Sequence, residues 1–439
     1  MFKTLINAFK DPGVRKKIIW TLVLLLVYRI GCFIPIPGIS AASISAALKP
    51  NATGLAGDSS LLGVMSAVTG GSLSQGTLLA LGIVPYINAS IIIQLLTMVI
   101  PAFERWSKEG EEGKKKLSTA TRVASMLLAV VQAVGIVIAY NASGSITDDF
   151  FGSTTLTCIV VGIIMVGGSA FTMWLGERIT ELGVGNGTSL IIFVGILSTA
   201  GKALLQAVTH AIEDAGYWWT IVIFLVLVIV IFGVIVWMDL AERRIPVQYA
   251  KQVKGNKMYG GQSTHIPIRL NSSGVLPMIF ASALVMFPQM IAQLIWGNCG
   301  FVMFWSSPEG QVVHTVLSAL LIVFFAFFYA QVQFNPEDVA RNIQQYGGTI
   351  VGVRPGKNTA LYLKRVNNRI VLFGALFLAL LSFVPGMVFS FLEQTGENPA
   401  ILTSAFTATG MLIVVSVALE FNKQLESQLM MKHYKGFLK

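Results

Sequence analysis

The sequence predicts an all-α integral membrane protein, and three observations carry that prediction. Ten apolar runs cross the 439 residues, each near the ~20 residues that a helix needs to span a hydrocarbon core. Hydrophobic residues make up 54% of the chain and charged residues only 12%, a balance foreign to ordinary soluble domains. The cations alternate from loop to loop. Lys3, Lys10, Arg15, Lys16 and Lys17 precede the first run, and Arg105, Lys108, Lys114, Lys115, Lys116 and Arg122 follow the second. The loop after the sixth holds Arg243, Arg244, Lys251, Lys254, Lys257 and Arg269, and the one after the eighth holds Arg341, Arg354, Lys357, Lys364, Arg365 and Arg369. Lys423, Lys432, Lys435 and Lys439 close the tail, whereas the opposite side shows only Lys49 and Lys202. Cytoplasmic loops retain Lys and Arg, so both termini and the large basic loops are expected in the cytoplasm. The net charge of +10 then belongs to that side, where anionic lipid, RNA or an acidic protein could meet it.

Residues 2–10 place Phe2, Leu5, Ile6 and Phe9 on one helical face, the pattern of a short interfacial helix. The expected spans are 18–36, 76–100, 121–140, 155–175, 187–206, 217–238, 274–295, 312–332, 369–390 and 400–419. The first contains Tyr28 and Arg29, runs into Ile34-Pro35-Ile36-Pro37-Gly38, and precedes nine more, so it reads as a retained helix rather than a secretory signal. Residues 61–75 are too short and too rich in Gly and Ser to span. A surface loop and a re-entrant segment filling a cavity both fit them, since irregular backbone at membrane depth survives only inside protein or a wet cavity.

The loop 240–271 alternates: Ile245, Val247 and Tyr249, then Ile266, Ile268 and Leu270, flank Gly255-Asn256 and Gly260-Gly261. That period predicts a two-stranded hairpin. In the loop 333–368, Asn335-Pro336 with Glu337 and Asp338 marks a helix start and Gly347-Gly348 a stop. A turn at 351–356 then presents Arg354, and a new helix is expected near Asn358. Five spans on each side of the 206–217 loop permit inverted halves, 1–206 and 207–439.

Ion-coupled transporters carry titratable groups within their spans. Here Arg29 lies near the far end of the first, Asp239 at the cytoplasmic end of the sixth, and Glu177, Arg178 and Glu181 at or beyond the end of the fourth. Snorkelling or a buried structural pair accounts for Arg29. Phosphate loops, zinc-binding histidine pairs and nucleophile elbows are missing, and His210, His265, His314 and His433 are scattered. Cys32, Cys158 and Cys299 show neither metal nor disulfide spacing. No enzyme activity and no cofactor are expected; a solute transporter or a membrane-embedded transferase remain as competing classes. Uncharged polar groups do interrupt the spans: Asn88, Gln94, Gln132, Gln289 and Gln293. Most such groups hydrogen-bond between helices.

Four strings then carry a resemblance. Residues 80–96, ALGIVPYINASIIIQLL, are very similar to the second span of the SecY family, the pore subunits of bacterial protein translocases. Residues 243–251, RRIPVQYAK, resemble that family's first large cytoplasmic loop, and Val353-Arg354-Pro355-Gly356 its second. Residues 183–187, GVGNG, resemble the approach to its fifth span. The likeness extends from the basic N-terminus to Gln428-Leu429-Met430-Met431.

The resemblance implies ten transmembrane helices in two inverted five-helix halves around an hourglass pore. The segment 61–75 takes the place of the family's plug, with Leu62, Val64, Met65, Val68 and Gly70 as its residues. Ile83, Ile87, Thr188, Ile192, Ile279 and Ile413 match the aliphatic ring at the constriction. Thr188 departs from the pattern: either its methyl faces the pore, or the register is shifted by one. Asn88 and Gln132 are placed at the lateral gate, the seam through which signal sequences and membrane segments reach lipid. Energy is expected from the SecA ATPase or the translating ribosome, docking on Arg243, Arg244, Lys251 and Arg354. SecE and SecG are the implied membrane partners, and the bacterial inner membrane the implied location.

Overall fold

The computed structural model describes residues 6, 8–40, 44, 69–142, 144–146, 152–213, 217–249, 252–254, 257–259, 263–271, 274–296, 300–394 and 408–436. Two compact units emerge: Met1–Trp218 with Met286–Val312 and Gly396–Lys439, and Trp219–Val285 with Val313–Thr395. Among the described residues, six helices are long and apolar enough to cross a membrane, or seven if one sharply bent pair is a single span.

In the first unit, α1 (Pro12–Gly31) starts where Asp11 Oδ1 accepts the Gly13 N–H at 2.9 Å and proline occupies the first turn. Val14, Ile18, Thr21, Leu25 and Tyr28 form its buried stripe, while Leu22, Val23, Leu26 and Ile30 stand exposed. Apolar side chains thus cover the outward face as well, which fits contact with lipid rather than water. Arg15, Lys16, Lys17 and Arg29 keep α1 outside the six spans counted above.

Next come α2 (Val84–Val99) and the amphipathic α3 (Pro101–Lys108), bent by 100° where Pro101 cannot continue the hydrogen-bond ladder. The longer helices are α4 (Glu111–Ala142), α5 (Thr154–Leu182) and α6 (Gly187–Glu213). α4 packs on α2 and α5, α5 on α6, and α1 on both α5 and α6. The expected span 76–100 is corrected here: it is helical only from Val84, and residues 69–83 form consecutive turns.

The second unit contains most of α7 (Tyr217–Leu240), followed by β1 (Glu242–Tyr249), β2 (Gln252–Lys254), β3 (Lys257–Tyr259) and β4 (Ser263–Arg269). The expected hairpin is present: β1 and β4 are antiparallel, with Ile245 opposite Ile266 and Val247 opposite Thr264. α8 (Leu276–Trp296) and the short α9 (Gly300–Ser306) lead to α10 (Pro308–Gln333). The Phe280 ring of α8 meets Phe325 and Tyr329 of α10 at 5.5 and 5.8 Å between centroids. α11 (Pro336–Gln345) begins on Asn335, whose Oδ1 accepts the Glu337 N–H at 3.1 Å, as the sequence predicts.

β5 (Gly348–Ile350) then joins β1 across the sheet, order β4-β1-β5, with Val247 opposite Ile350. The two long basic loops, 240–271 and 333–368, thus contribute to one folded body. Its core holds Ile245, Val247, Ile268, Ile343, Ile350 and Leu363. α12 (Lys357–Gln394) rises from this body one residue before the expected start. α13 (Ala408–Gly436) belongs to the first unit and packs on α6. Of the expected interfacial helix, Ile6 and Ala8–Lys10 are helical, with Ile6 and Phe9 exposed; Phe2 and Leu5 lie outside the described residues.

Candidate functional site

The segment 69–83 is the first unit's most unusual feature, because it is irregular backbone sunk among helices. Thr69 and Ser72 are each 1% exposed, and Leu73, Leu79, Ala80 and Leu81 are fully buried. Such a chain survives at depth only if its polar groups find partners. Ser72 Oγ donates to the Thr69 carbonyl at 2.9 Å and Thr77 Oγ1 to the Ser72 carbonyl at 3.1 Å. The Tyr140 hydroxyl of α4 donates to the Leu73 carbonyl at 2.6 Å. An extended strip at residues 34–36 closes the other side, through Leu78 N–H to Ile34 carbonyl (2.8 Å) and Ile36 N–H to Gly76 carbonyl (3.0 Å).

Leu73, Ala80 and Leu81 share one apolar cluster with Ala133, Ile136, Val137, Val161 and Met165. On α5, a Cβ at Gly168 would lie 2.0 Å from the Leu78 carbonyl oxygen, so only glycine permits this approach. Of the expected plug residues, Gly70 is described and has φ +72°; Leu62, Val64, Met65 and Val68 lie outside the described residues. A Cβ on Gly70 would fall 2.8 Å from Arg29 Nη1 and 3.1 Å from the Gly195 backbone. Arg29 in turn donates to Ser198 Oγ, and both Arg29 and Lys202 sit over the Phe33 ring, at 5.3 and 5.2 Å.

Ile83 ends the irregular segment as the N-cap of α2 and is 3% exposed. Its Cδ1 converges with the Thr188 methyl on Gly176 of α5: each would be 3.3 Å from a Cβ placed there. Thr188 Oγ1 donates to Asn186 Oδ1 at 2.7 Å, and the same oxygen accepts the Thr188 N–H at 3.1 Å. The hydroxyl is thus tied back to the helix start and the methyl joins the aliphatic group. Ile192, one turn along α6, and Ile413, on α13, are buried as well; Ile87 is half-buried one turn beyond Ile83. Ile279 lies half-buried on α8 in the second unit. Asn88 is half-buried on α2, and Gln132 is buried on α4 with its Oε1 lacking a hydrogen-bond partner.

On the folded body built from the two basic loops, Arg243 and Arg244 project from β1, opposite Ile268 and Pro267, and both are exposed. Arg244 Nε pairs with Glu242 at 2.8 Å. Arg354 is exposed in the turn between β5 and α12, where its carbonyl accepts the Thr359 hydroxyl at 3.0 Å. Lys251 lies outside the described residues. Sequence reasoning missed Gly168 and Gly176, which nothing in the pattern separates from the other small residues of α5 (Gly162, Gly167, Ser169 and Ala170), and it missed β5.

Residues 77–422 match the SecY family model. The chain belongs to the SecY family. The Streptomyces galbus "Protein translocase subunit SecY" is 40% identical over 455 aligned residues, covering 100% of both chains. A solved structure described as a protein-conducting channel superposes with a TM-score of 0.66 at 20% identity, covering 95% of this chain and 93% of that one. Sec61 in a canine ribosome–channel complex from the endoplasmic reticulum gives 0.64 at 19% identity, covering 94% and 92%. Both structures establish the shared fold, and this member of the SecY family is a multi-pass membrane protein.

Proposed function

We propose that the chain is the protein-conducting subunit of a bacterial translocase: it passes unfolded secretory polypeptides across the inner membrane and releases membrane segments sideways into lipid. The observation that carries this reading is the convergence of Ile83 and the Thr188 methyl on Gly176, at the end of the buried irregular segment 69–83. The family supports it, since its curated relative is named as a translocase subunit and its structural neighbour as a protein-conducting channel.

Ile83, Ile87, Thr188, Ile192, Ile279 and Ile413 form the constriction in this reading, and 61–75 the plug. An apolar waist dewets and so blocks ions without a charged gate. Aliphatic side chains also close around a passing chain of almost any sequence, because they demand no particular hydrogen bond. The two inverted halves, 1–206 and 207–439, part at a gate holding Asn88 and Gln132. Exposure to lipid there sorts segments: Leu, Ile, Phe or Val favours insertion by about 0.3–0.6 kcal/mol, and Asp, Lys or Arg opposes it by about 2.5–3.5.

The pore is passive, and energy comes from SecA or from the translating ribosome. Arg243, Arg244, Lys251 and Arg354 are the contacts in the proposal, since guanidinium pairs well with phosphate and carboxylate. A neighbour solved on a ribosome supports docking of that kind. SecE and SecG complete the complex, and both termini face the cytoplasm.

Crosslinking tests the proposal. A translocation substrate stalled halfway is expected to bond to photoprobes at Ile83, Ile192, Ile279 and Ile413. Bonding at lipid-facing positions alone, such as Leu26 or Ile30 of α1, would remove the pore assignment.

A further inference from the structure

A cleft of about 680 Å³ opens within the cytoplasmic body, between α11 and the first turns of α12. Its size falls inside the roughly 300–1,000 Å³ range of ligand sites. Lys357, Leu361, Lys364 and Asn368 line it from α12 at helical spacing, and Glu337, Arg341 and Gln344 line it from α11. The end of α11 meets the start of α12 here: Gln344 Oε1 lies 3.6 Å from where a Cβ on Gly356 would be. Three cations therefore face one carboxylate, and among the described residues none of the three is ion-paired.

Asn367 supplies an independent observation. It is 3% exposed and lines the cleft, and its Oδ1 is buried with no hydrogen-bond partner. A buried acceptor left unsatisfied is destabilising, and a ligand N–H would relieve it.

We propose that this cleft is a groove for an extended acidic peptide segment of a cytoplasmic partner. From Lys357 to Asn367 along α12 is about 15 Å, the length of four to five residues of extended chain at about 3.3 Å each. Lys364, Lys357 and Arg341 meet the carboxylates, and Asn367 accepts a backbone N–H, which is how an amide recognises a peptide independently of its side chains. A phospholipid headgroup fits less well. The groove begins where the apolar part of α12 starts, near Ile370, and runs away from the membrane farther than the headgroup layer of about 5–8 Å extends. The groove goes beyond the docking arginines above, and its test reads binding without transport, so either idea can fail alone.

The test uses the full chain in phosphatidylcholine nanodiscs and a fluorescein-labelled pentapeptide of alternating Asp and Glu, followed by anisotropy. The Asn/Gln isostere of that peptide is expected to bind at least tenfold more weakly. The double variant Arg341→Gln/Lys364→Gln, both at exposed positions, is expected to lose at least tenfold at low salt. Asn367→Ala is expected to lose several-fold at low and high salt alike. Equal binding of both peptides, or binding untouched by the double variant, overturns the proposal. A photoprobe at position 364, in discs with 30% phosphatidylglycerol, is expected to label the acidic peptide. Labelling of lipid that the peptide cannot displace overturns it in favour of a headgroup site.

Discussion

Replacing Gly70 with alanine tests whether the irregular segment is held shut by fit. Gly70 has φ +72°, where a residue with a Cβ costs about 1–2 kcal/mol. The new methyl would sit 2.8 Å from Arg29 Nη1 and 3.1 Å from both Cα and O of Gly195. Arg29 Nη1 is the far end of a flexible side chain and can yield, but the Gly195 backbone of α6 would have to give by a few tenths of an ångström. Overpacking of that kind costs about 1–3 kcal/mol. The sum, about 2–5 kcal/mol, weighs against the seated segment only. At ~1.4 kcal/mol per decade, the unseated population rises at least about tenfold. Proteoliposomes carrying the variant, loaded with a small anionic dye, are expected to leak faster than those carrying the native chain, with no substrate present. Gly144→Ala is the control: its φ is +66°, but nothing lies within 4 Å of the added carbon. That variant bears the backbone strain alone and should not leak. Equal resting leak in native and Gly70→Ala liposomes would refute the reasoning.

Tyr140→Phe removes the donor to the Leu73 carbonyl, a buried bond of 2.6 Å. The expected loss is about 1–3 kcal/mol, seen as a lower midpoint in thermal unfolding of the purified chain; an unchanged midpoint would mean the bond contributes nothing net. Arg354→Glu reverses an exposed charge on the turn before α12, so folding and membrane insertion should be intact. Motor-driven export in a reconstituted assay should fall several-fold, and unaltered export would strike Arg354 from the docking surface. Thr188→Val keeps the methyl that converges with Ile83 and exchanges the hydroxyl that bonds Asn186 for a second methyl. Export and resting leak should both stay within about twofold of native, since Asn186 still accepts the Thr188 N–H; a marked leak would show that the hydroxyl itself matters.

Much of the fold was legible because lipid imposes simple rules. Apolar length marked the helices, and local punctuation marked the loops: the Asn335 cap, the Gly347-Gly348 stop and the alternation in β1 and β4 all appear as expected. Residues 76–83 were misread as helix for a physical reason. Buried irregular backbone and transmembrane helix are equally apolar, so hydropathy cannot separate them. The usable signal was glycine spacing, since Gly70, Gly71, Gly76 and Gly82 all adopt positive φ. β5 escaped because three residues carry no period, and its partner β1 lies about a hundred positions earlier. No pattern singled out Ile83 or Ile192 among so many aliphatic side chains; those positions came from resemblance.

Thr188 shows why residue type alone misjudges such a surface. A hydroxyl at an aliphatic position argues for a shifted register, yet Asn186 engages both its hydroxyl and its N–H and leaves the methyl beside Ile83. The same economy recurs nearby. Ser72 and Thr77 spend their hydroxyls on the backbone of their own turns, and Arg29 spends part of its guanidinium on Ser198 and a ring. A polar side chain tied to its own scaffold has little hydrogen-bonding capacity left for a neighbour. What it presents is the carbon it has left, and an assignment of apolar surface therefore has to follow hydrogen bonds rather than residue names.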